Sequence, residues 1–242
     1  MKIKSGRTGS VIALLLLSMF WAEAGAQKMA FSLGGGISTT RMDDMKYLQE
    51  YILGSYPVEG AITSSFPTYG MASLHLGAQI NQAIRITGGL TYSVSGGKIN
   101  YTDSTGSLTT DLSATSSQFE LAAYYRILGG DFYELSVFGS LGANLSRIKL
   151  TNTLLVLGYS DLSQSDFQAI SACGSAGLEA MLHLSGFSAG LEAGYNVDMP
   201  GELKDGDSGA DLIDPETGSD RILTTDWTGW QVQLKLYFWL RR

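Results

Sequence analysis

From residue 29 onward the chain alternates apolar and polar positions with a period of two, in eight stretches: 29–38, 69–80, 84–95, 118–128, 133–148, 168–184, 187–199 and 228–240. In 69–80, Ala72, Leu74, Leu76, Ala78 and Ile80 take one face, and Ser73, His75, Gly77 and Gln79 the other. In 228–240, Trp230, Val232, Leu234, Leu236, Phe238 and Leu240 oppose Gln231, Gln233 and Lys235. Strand side chains point alternately to two faces, so each stretch predicts a β-strand with one greasy and one polar surface. A helical pattern lies at 43–53. There Asp43 can cap a short helix that carries Met45, Leu48 and Ile52 on one stripe.

The connections alternate too. Asn81-Gln82-Ala83, Gly129-Gly130-Asp131-Phe132 and Ser185-Gly186 are tight turns. Between them lie long stretches at 39–68, 96–117, 149–167 and 200–227, expected to be loops. A tilted strand needs roughly 9–11 residues to cross a bilayer, and every stretch supplies that. Period alone does not say which face is inside, but composition does. Charged residues are 16% of the chain, against about a quarter in a soluble domain. The polar face is mostly Ser, Thr, Gly, Gln and Asn, whereas a soluble exterior would carry many charges. The apolar face carries Tyr92, Tyr125, Tyr133, Phe187, Tyr195, Trp230 and Phe238 near its ends, where two membrane interfaces would lie. In lipid the backbone must be fully paired, so a strand protein must close on itself. The expectation is an all-β fold: an eight-stranded antiparallel transmembrane up-and-down β-barrel with short periplasmic turns, long extracellular loops and both termini periplasmic. The competing fold is a soluble barrel with the apolar face inside.

The N-terminus reads as a leader. Lys2, Lys4 and Arg7 precede an apolar stretch at 11–22, and Ala24-Gly25-Ala26 is a small-x-small cleavage site. Residues 1–26 are expected to be a signal peptide and 27–242 one barrel domain. Loss of Lys2, Lys4, Arg7 and Glu23 moves the net charge from -7 to -9. That sign argues against a nucleic-acid partner. A single Cys excludes a disulfide scaffold and multi-Cys metal sites, and no cofactor is implied.

The eight strands, the loop alternation, the aromatic ends and the final apolar strand at 230–240 resemble the small outer-membrane barrels of Gram-negative bacteria. The likeness is to the OmpX and OmpA-transmembrane-domain type, and above all to the "outer membrane protein beta-barrel" group that includes PorT-like proteins. The resemblance covers the whole chain after residue 26. It implies a cell-envelope location in the outer membrane and, through the PorT-like members, a role as an accessory subunit of a secretion or assembly machine.

Eight strands enclose little beyond their own side chains, so the inward set must form a neutralised polar core. Turn geometry places Glu179 opposite Glu192, His183 opposite Ser188, and Arg126 opposite Glu134. Two facing carboxylates need a proton or cation between them. The expected lumen network is Glu120, Glu179, Glu192, Lys235 and His75 across the middle, with Arg85, Arg126 and Glu134 below. It serves either as a satisfied core or as a narrow ion or proton pore. His183-Leu184-Ser185 has a spacing similar to one element of barrel lipid A deacylases, a hydrolase alternative with Glu179 or Glu192 as orienting acid. Arg147 and Lys149 fall on the outward face at the outer rim and are candidates for lipid phosphates. Asp205, Asp207 and Asp211 have oxygen ligands at spacings reminiscent of calcium loops, within an acidic stretch otherwise read as solvated. The helix at 43–53 would lie on the rim, plug the mouth or dock a partner. The reading is a monomeric, non-enzymatic barrel with a structural or surface-interaction role. Its partners are outer-membrane lipids, including lipopolysaccharide, and an envelope protein held by the loops.

Overall fold

The computed structural model of the protein describes residues 28–55, 61–102, 106–156, 159–215 and 221–240. The expected leader at 1–26 lies outside them. In chain order the elements are β1 (Lys28–Ser38), α1 (Asp43–Ser55), β2 (Ala61–Ser65), β3 (Tyr69–Gln79), β4 (Ile84–Thr102), β5 (Gly106–Gly129) and β6 (Tyr133–Val156). There follow β7 (Tyr159–His183), β8 (Ser188–Asp198), β9 (Gly201–Glu202), β10 (Lys204–Asp205), β11 (Thr224–Thr225) and β12 (Gly229–Leu240).

Eight of these strands pair antiparallel in the ring order β1-β3-β4-β5-β6-β7-β8-β12. The ring closes where β12 meets β1, from Met29 opposite Leu240 to Ser38 opposite Gln231. Polarity is inverted relative to a soluble protein. Leu33, Leu74, Leu121, Leu178, Leu191 and Leu234 stand exposed on the outer surface, and Leu141 is 77% exposed. Ser32, Ser73, Ser140, Glu179, Glu192, Gln233 and Lys235 are buried inside. An apolar belt of that extent is stable against acyl chains and not against water. The soluble alternative is therefore excluded. The crossing is made by strands; no described helix is long and apolar enough to span a membrane.

Two of the four expected loops are strands. The described parts of these stretches, 96–102 with 106–117 and 149–156 with 159–167, continue the wall as paired strands, up to Thr102 opposite Ser107 and Val156 opposite Tyr159. Their pairing is as regular as that below, but the greasy face has gone: Thr109 sits opposite Thr153 and Ser113 opposite Lys149. Outside the bilayer nothing rewards an apolar exterior, so the sequence signal stops while the strands go on.

The other half of the wall ends earlier, at Ser38, Tyr69, Asp198 and Gly229. The gap is filled by α1 and by residues 199–215 and 221–228, which pack a second core of opposite character. Met42, Met45, Leu48, Phe66, Tyr69, Leu203, Leu223 and Trp227 meet Leu112, Ala114, Ile148 and Ala169 from the inner face of the extended sheet. The stretch 200–227, expected to be a solvated acidic loop, is thus largely folded. Leu203 N–H donates to Leu223 C=O at 2.9 Å, and Leu223 N–H donates to Leu212 C=O at 2.8 Å. Glu216 and Asp220 of that stretch lie outside the described residues. The helix starts on the Met42 carbonyl, which accepts from Met45 and Lys46 at 3.1 and 3.0 Å, and not on an Asp43 cap. Met42 and Phe66 hold left-handed backbone, φ 45° and 42°. Such strain costs roughly 1–3 kcal/mol per residue and is held by the packing of both side chains.

Because this mouth core is separate from the lipid-facing wall, its loss should be local. Leu203→Ala or Leu223→Ala is expected to cost about 2–5 kcal/mol of local stability. Limited proteolysis should then cut within 199–228, while the barrel keeps its compact, heat-modifiable form on a gel.

Candidate functional site

The lumen is closed in the middle by one hydrogen-bonded cluster. Glu179 and Glu192 are register partners on β7 and β8. They do not share a cation; each has its own base, Lys235 on the neighbouring strand β12 for Glu192 and Arg85 across the lumen on β4 for Glu179. Lys235 of β12 lies 2.6 Å from the Glu192 Oε2 atom. The Tyr124 hydroxyl donates to the same oxygen at 2.8 Å, and the Gln233 amide donates to the Oε1 atom at 3.2 Å. Glu179 accepts from the Arg85 guanidinium and from the Tyr237 hydroxyl. Arg85 lies between two aromatic faces, 4.2 Å from the Tyr124 ring centre and 4.8 Å from that of Tyr237. The expectation that Arg85 lies below the centre is therefore corrected: its length and the Glu179 charge carry it into the middle.

Above this cluster His75 meets Glu120 at 2.9 Å. The His75 ring lies over Gly89 on the neighbouring strand, where a Cβ atom would come within 2.0 Å of it. A glycine is required there for that close approach. Higher still, Asp198 accepts from Ser171 at 2.6 Å, from Asn144 at 3.3 Å and from the Trp227 N–H at 3.1 Å. The Trp227 indole donates to Ser146 at 2.8 Å. Trp227 thus pins the mouth segment to the lumen wall.

Arg126 does not face Glu134. The turn is centred between Asp131 and Phe132, not at Gly130, so Gly129 lies opposite Glu134; a bulge between Arg126 and Leu128 then leaves Arg126 opposite Ser136. The turn centre sets the displacement, and the extra residue of the bulge takes back one position of it; counting from Gly130 sees neither. Arg126 folds back to the Gly130 carbonyl at 3.5 Å, while Glu134 takes Ser136 at 2.8 Å and lies 3.8 Å from His183.

The pattern of the outer membrane protein beta-barrel domain matches residues 12–236. The chain belongs to that family. No curated protein matches it. Among solved structures it is similar to Ail, the attachment invasion locus protein of Yersinia pestis, at 15% identity over 87% of this chain and 98% of that one, TM-score 0.38. It is similar to a major outer membrane protein from Thermus thermophilus at 11% identity over 88% of this chain and 99% of that one, TM-score 0.48. It is also similar to OprG from Pseudomonas aeruginosa at 14% identity over 90% of this chain and 99% of that one, TM-score 0.42.

In this outer-membrane barrel the remaining candidates are scattered. His183 bonds Ser188 at 3.0 Å and faces Glu134, a serine–histidine–carboxylate row at the short-turn end. The Ser188 hydroxyl also accepts from the Trp239 indole at 2.9 Å and is 1% exposed, so no substrate carbonyl can reach it. Ser185 is outside this row, in the turn. Arg147 and Lys149 point outward above the lipid belt, on the β6 extension. Arg147 is bound through two nitrogens to Asp166. That bond, with Lys149 close by, holds the Asp166 carboxyl below its ordinary pKa. The Asp205 carboxylate is occupied by the Ser208 and Asp207 N–H groups at 2.7 and 3.1 Å, which lowers its pKa. Asp211 pairs with Lys204 at 3.3 Å. Among the described residues no group of three or more His, Cys, Asp or Glu side chains could hold a metal ion.

Tyr124, Tyr237, Gln233, Asp198 and Trp227 complete this lumen, and the sequence pattern did not single them out as partners. Tyr237 was legible by parity from Lys235; Trp227 sits in a connection and had no signal. Since each buried charge depends on one opposite charge, removing a partner should be costly. Lys235→Ala is expected to destabilise the barrel by about 3–5 kcal/mol. A paired replacement, Lys235→Met with Glu192→Leu, should recover most of that loss in urea unfolding from detergent.

Proposed function

We propose that this protein is a non-enzymatic, monomeric outer-membrane barrel that presents a folded platform on the cell surface, with a structural or interaction role. The observation that carries the reading is the mouth: half of the wall rises beyond the lipid belt, and an apolar core packs the opening shut. A pore would keep that opening wet, and the two central ion pairs bar the lumen beneath it. The row Ser188–His183–Glu134 supports no hydrolase, because its hydroxyl is sealed. In this reading residues 1–26 are a leader removed at export. Lys149, with its neighbour Arg147 committed to Asp166, is the base left to meet a lipid phosphate of the outer leaflet. Partnership in a secretion or assembly machine is one form the surface role can take.

Planar-bilayer recording of the full processed chain tests the sealed barrel. Wild type and Glu192→Ala are both expected to give negligible conductance. Steady unitary openings in the wild type would replace the platform with a pore.

A further inference from the structure

Along the outer side of β7 the wall passes from lipid to water within a few residues. Ile170, 74% exposed, sits opposite Leu145 in the last greasy row. The next outward row pairs Gln168 with Arg147, and the one above it Asp166 with Lys149. The strand beside β7 changes at the same height. β8 ends at Asp198, and the Met199 N–H still donates to the Ala172 carbonyl at 2.8 Å. Pairing resumes only with Lys204 opposite Gln168. Pro200, in between, has no N–H to offer. Gly201 lies close against β7: a Cβ atom there would come within 3.1 Å of the Ala169 side chain and 3.2 Å of the Ile170 carbonyl.

This break in the ladder leaves a groove on the outer surface. Its lower cavity, about 530 Å³, is lined by Ala169, Ile170, Pro200, Gly201, Glu202 and Lys204. Its upper cavity, about 300 Å³ and polar, is lined by Arg147, Gln164, Ser165, Asp166 and Asp207. Gln168, Asp205 and Gly206 line both, so the two are continuous. Small-molecule sites commonly enclose roughly 300–1,000 Å³. At about 3.3 Å per residue, Ile170 and Asp166 stand about 13 Å apart along the strand. The headgroup layer of one leaflet is only about 5–8 Å deep. The groove therefore crosses that layer and reaches the acyl chains below it.

Both signs of charge line it. Arg147 pairs with Asp166 and Lys204 with Asp211, and each base stays more than half exposed. Asp166, Glu202, Asp205 and Asp207 are the acidic lining, and Glu202 and Asp207 take part in no ion pair among the described residues. Four carboxylates against two bases oppose a ligand that brings only phosphate. They suit a headgroup that carries an amine of its own. The order along the groove is specific as well. A greasy floor at Ile170 and Pro200 comes first, then Lys204 beside the Gln168 amide, then Asp205 and Asp207. That is the order of acyl chain, phosphate and ammonium in an amine-bearing phospholipid.

We propose that this groove binds one glycerophospholipid with a primary-amine headgroup, of the phosphatidylethanolamine class, in the outer leaflet. An acyl chain lies on Ile170 and Pro200, Lys204 meets the phosphate, and Asp207 accepts from the ammonium. Charge-assisted hydrogen bonds select the head, and burial of the chain against the apolar floor supplies affinity. Glu202, next to Lys204 on the same face, repels any further phosphate. The proposal rests on the platform reading for which end of the barrel faces outward, but it fails separately: a non-conducting barrel whose groove ignores the amine keeps the platform and loses the lipid site.

The test titrates the full processed chain, in uncharged maltoside micelles, with dihexanoyl phosphatidylethanolamine, and follows the amides of Gln168, Gly201 and Gly206 by NMR. Saturable shifts at these amides are expected. Dihexanoyl phosphatidylglycerol, which lacks the amine, and glycerophosphoethanolamine, which lacks the chains, should each bind at least about tenfold more weakly. Glu202→Gln with Asp207→Asn should weaken phosphatidylethanolamine by about tenfold and leave phosphatidylglycerol unchanged or tighter. Lys204→Gln should weaken both lipids. These side chains are exposed, so the variants should remain heat-modifiable barrels. Absence of saturable shifts, equal binding of phosphatidylglycerol, or undiminished binding by the double variant would overturn the proposal. Equal binding of glycerophosphoethanolamine would assign the groove to a free headgroup and overturn the lipid. Tighter binding of a bis-phosphorylated glycolipid without an amine would overturn the headgroup named here.

Discussion

In hydrocarbon each backbone N–H and C=O needs a partner inside the protein, and the rest of this molecule follows from that requirement. An open sheet would leave two unpaired edges in lipid, so the eight wall strands close, β12 against β1. Closure then fixes which residues look outward. Leucines and aromatics meet acyl chains, and the polar half of each strand is confined to a cylinder with little free volume. That cylinder must be neutral and hydrogen-bonded within itself. Arg85 with Glu179, Lys235 with Glu192 and His75 with Glu120 meet the need; Tyr124 links the first two pairs, and the Tyr237 phenol completes the first.

Where the membrane ends, the requirement relaxes and the same strands reverse polarity. On β6, Leu141 and Leu145 face out and Asn144 and Ser146 face in. A few residues further up, Lys149 is exposed while Ile148 is buried and Leu150 packs on the mouth core. β5 does the same: Leu112 and Ala114 are buried above, and Tyr124 sits in the polar lumen below. One continuous sheet thus serves two solvents. The apolar inner face of its upper part needs a cover, and α1 with residues 199–215 and 221–228 provides it. Trp227 joins the two regimes, its ring in the apolar core and its indole and backbone on the polar lumen wall.

This division bears on function. On the proposed reading, a barrel closed by ion pairs below and by an apolar core above serves as a base and not as a conduit. What faces the exterior is a rigid sheet, held by long-range pairing, with one edge guarded by β2 and α1 and the other left open above Asp166. On that reading the chemistry is sought on that surface and not in the lumen, where Ser188 and His183 satisfy each other in a partly buried row.

Period-two alternation determined the eight crossings, their faces and the short-turn end, because lipid imposes an apolar exterior that any strand must write into its sequence. It also put Glu179 opposite Glu192, since an unbulged turn makes register a matter of counting. Only the tertiary structure decided the rest. The strands within 96–117 and 149–167 have no lipid to face and so carry no apolar stripe on the outside. The centre of the turn after Gly129 and the bulge after Arg126 change partners without changing composition. The mouth core draws Leu203, Leu223 and Trp227 from a stretch whose charge suggested water. Contacts set by the bilayer are local and periodic and can be read from a chain; contacts between segments far apart in sequence depend on where the closed wall brings them.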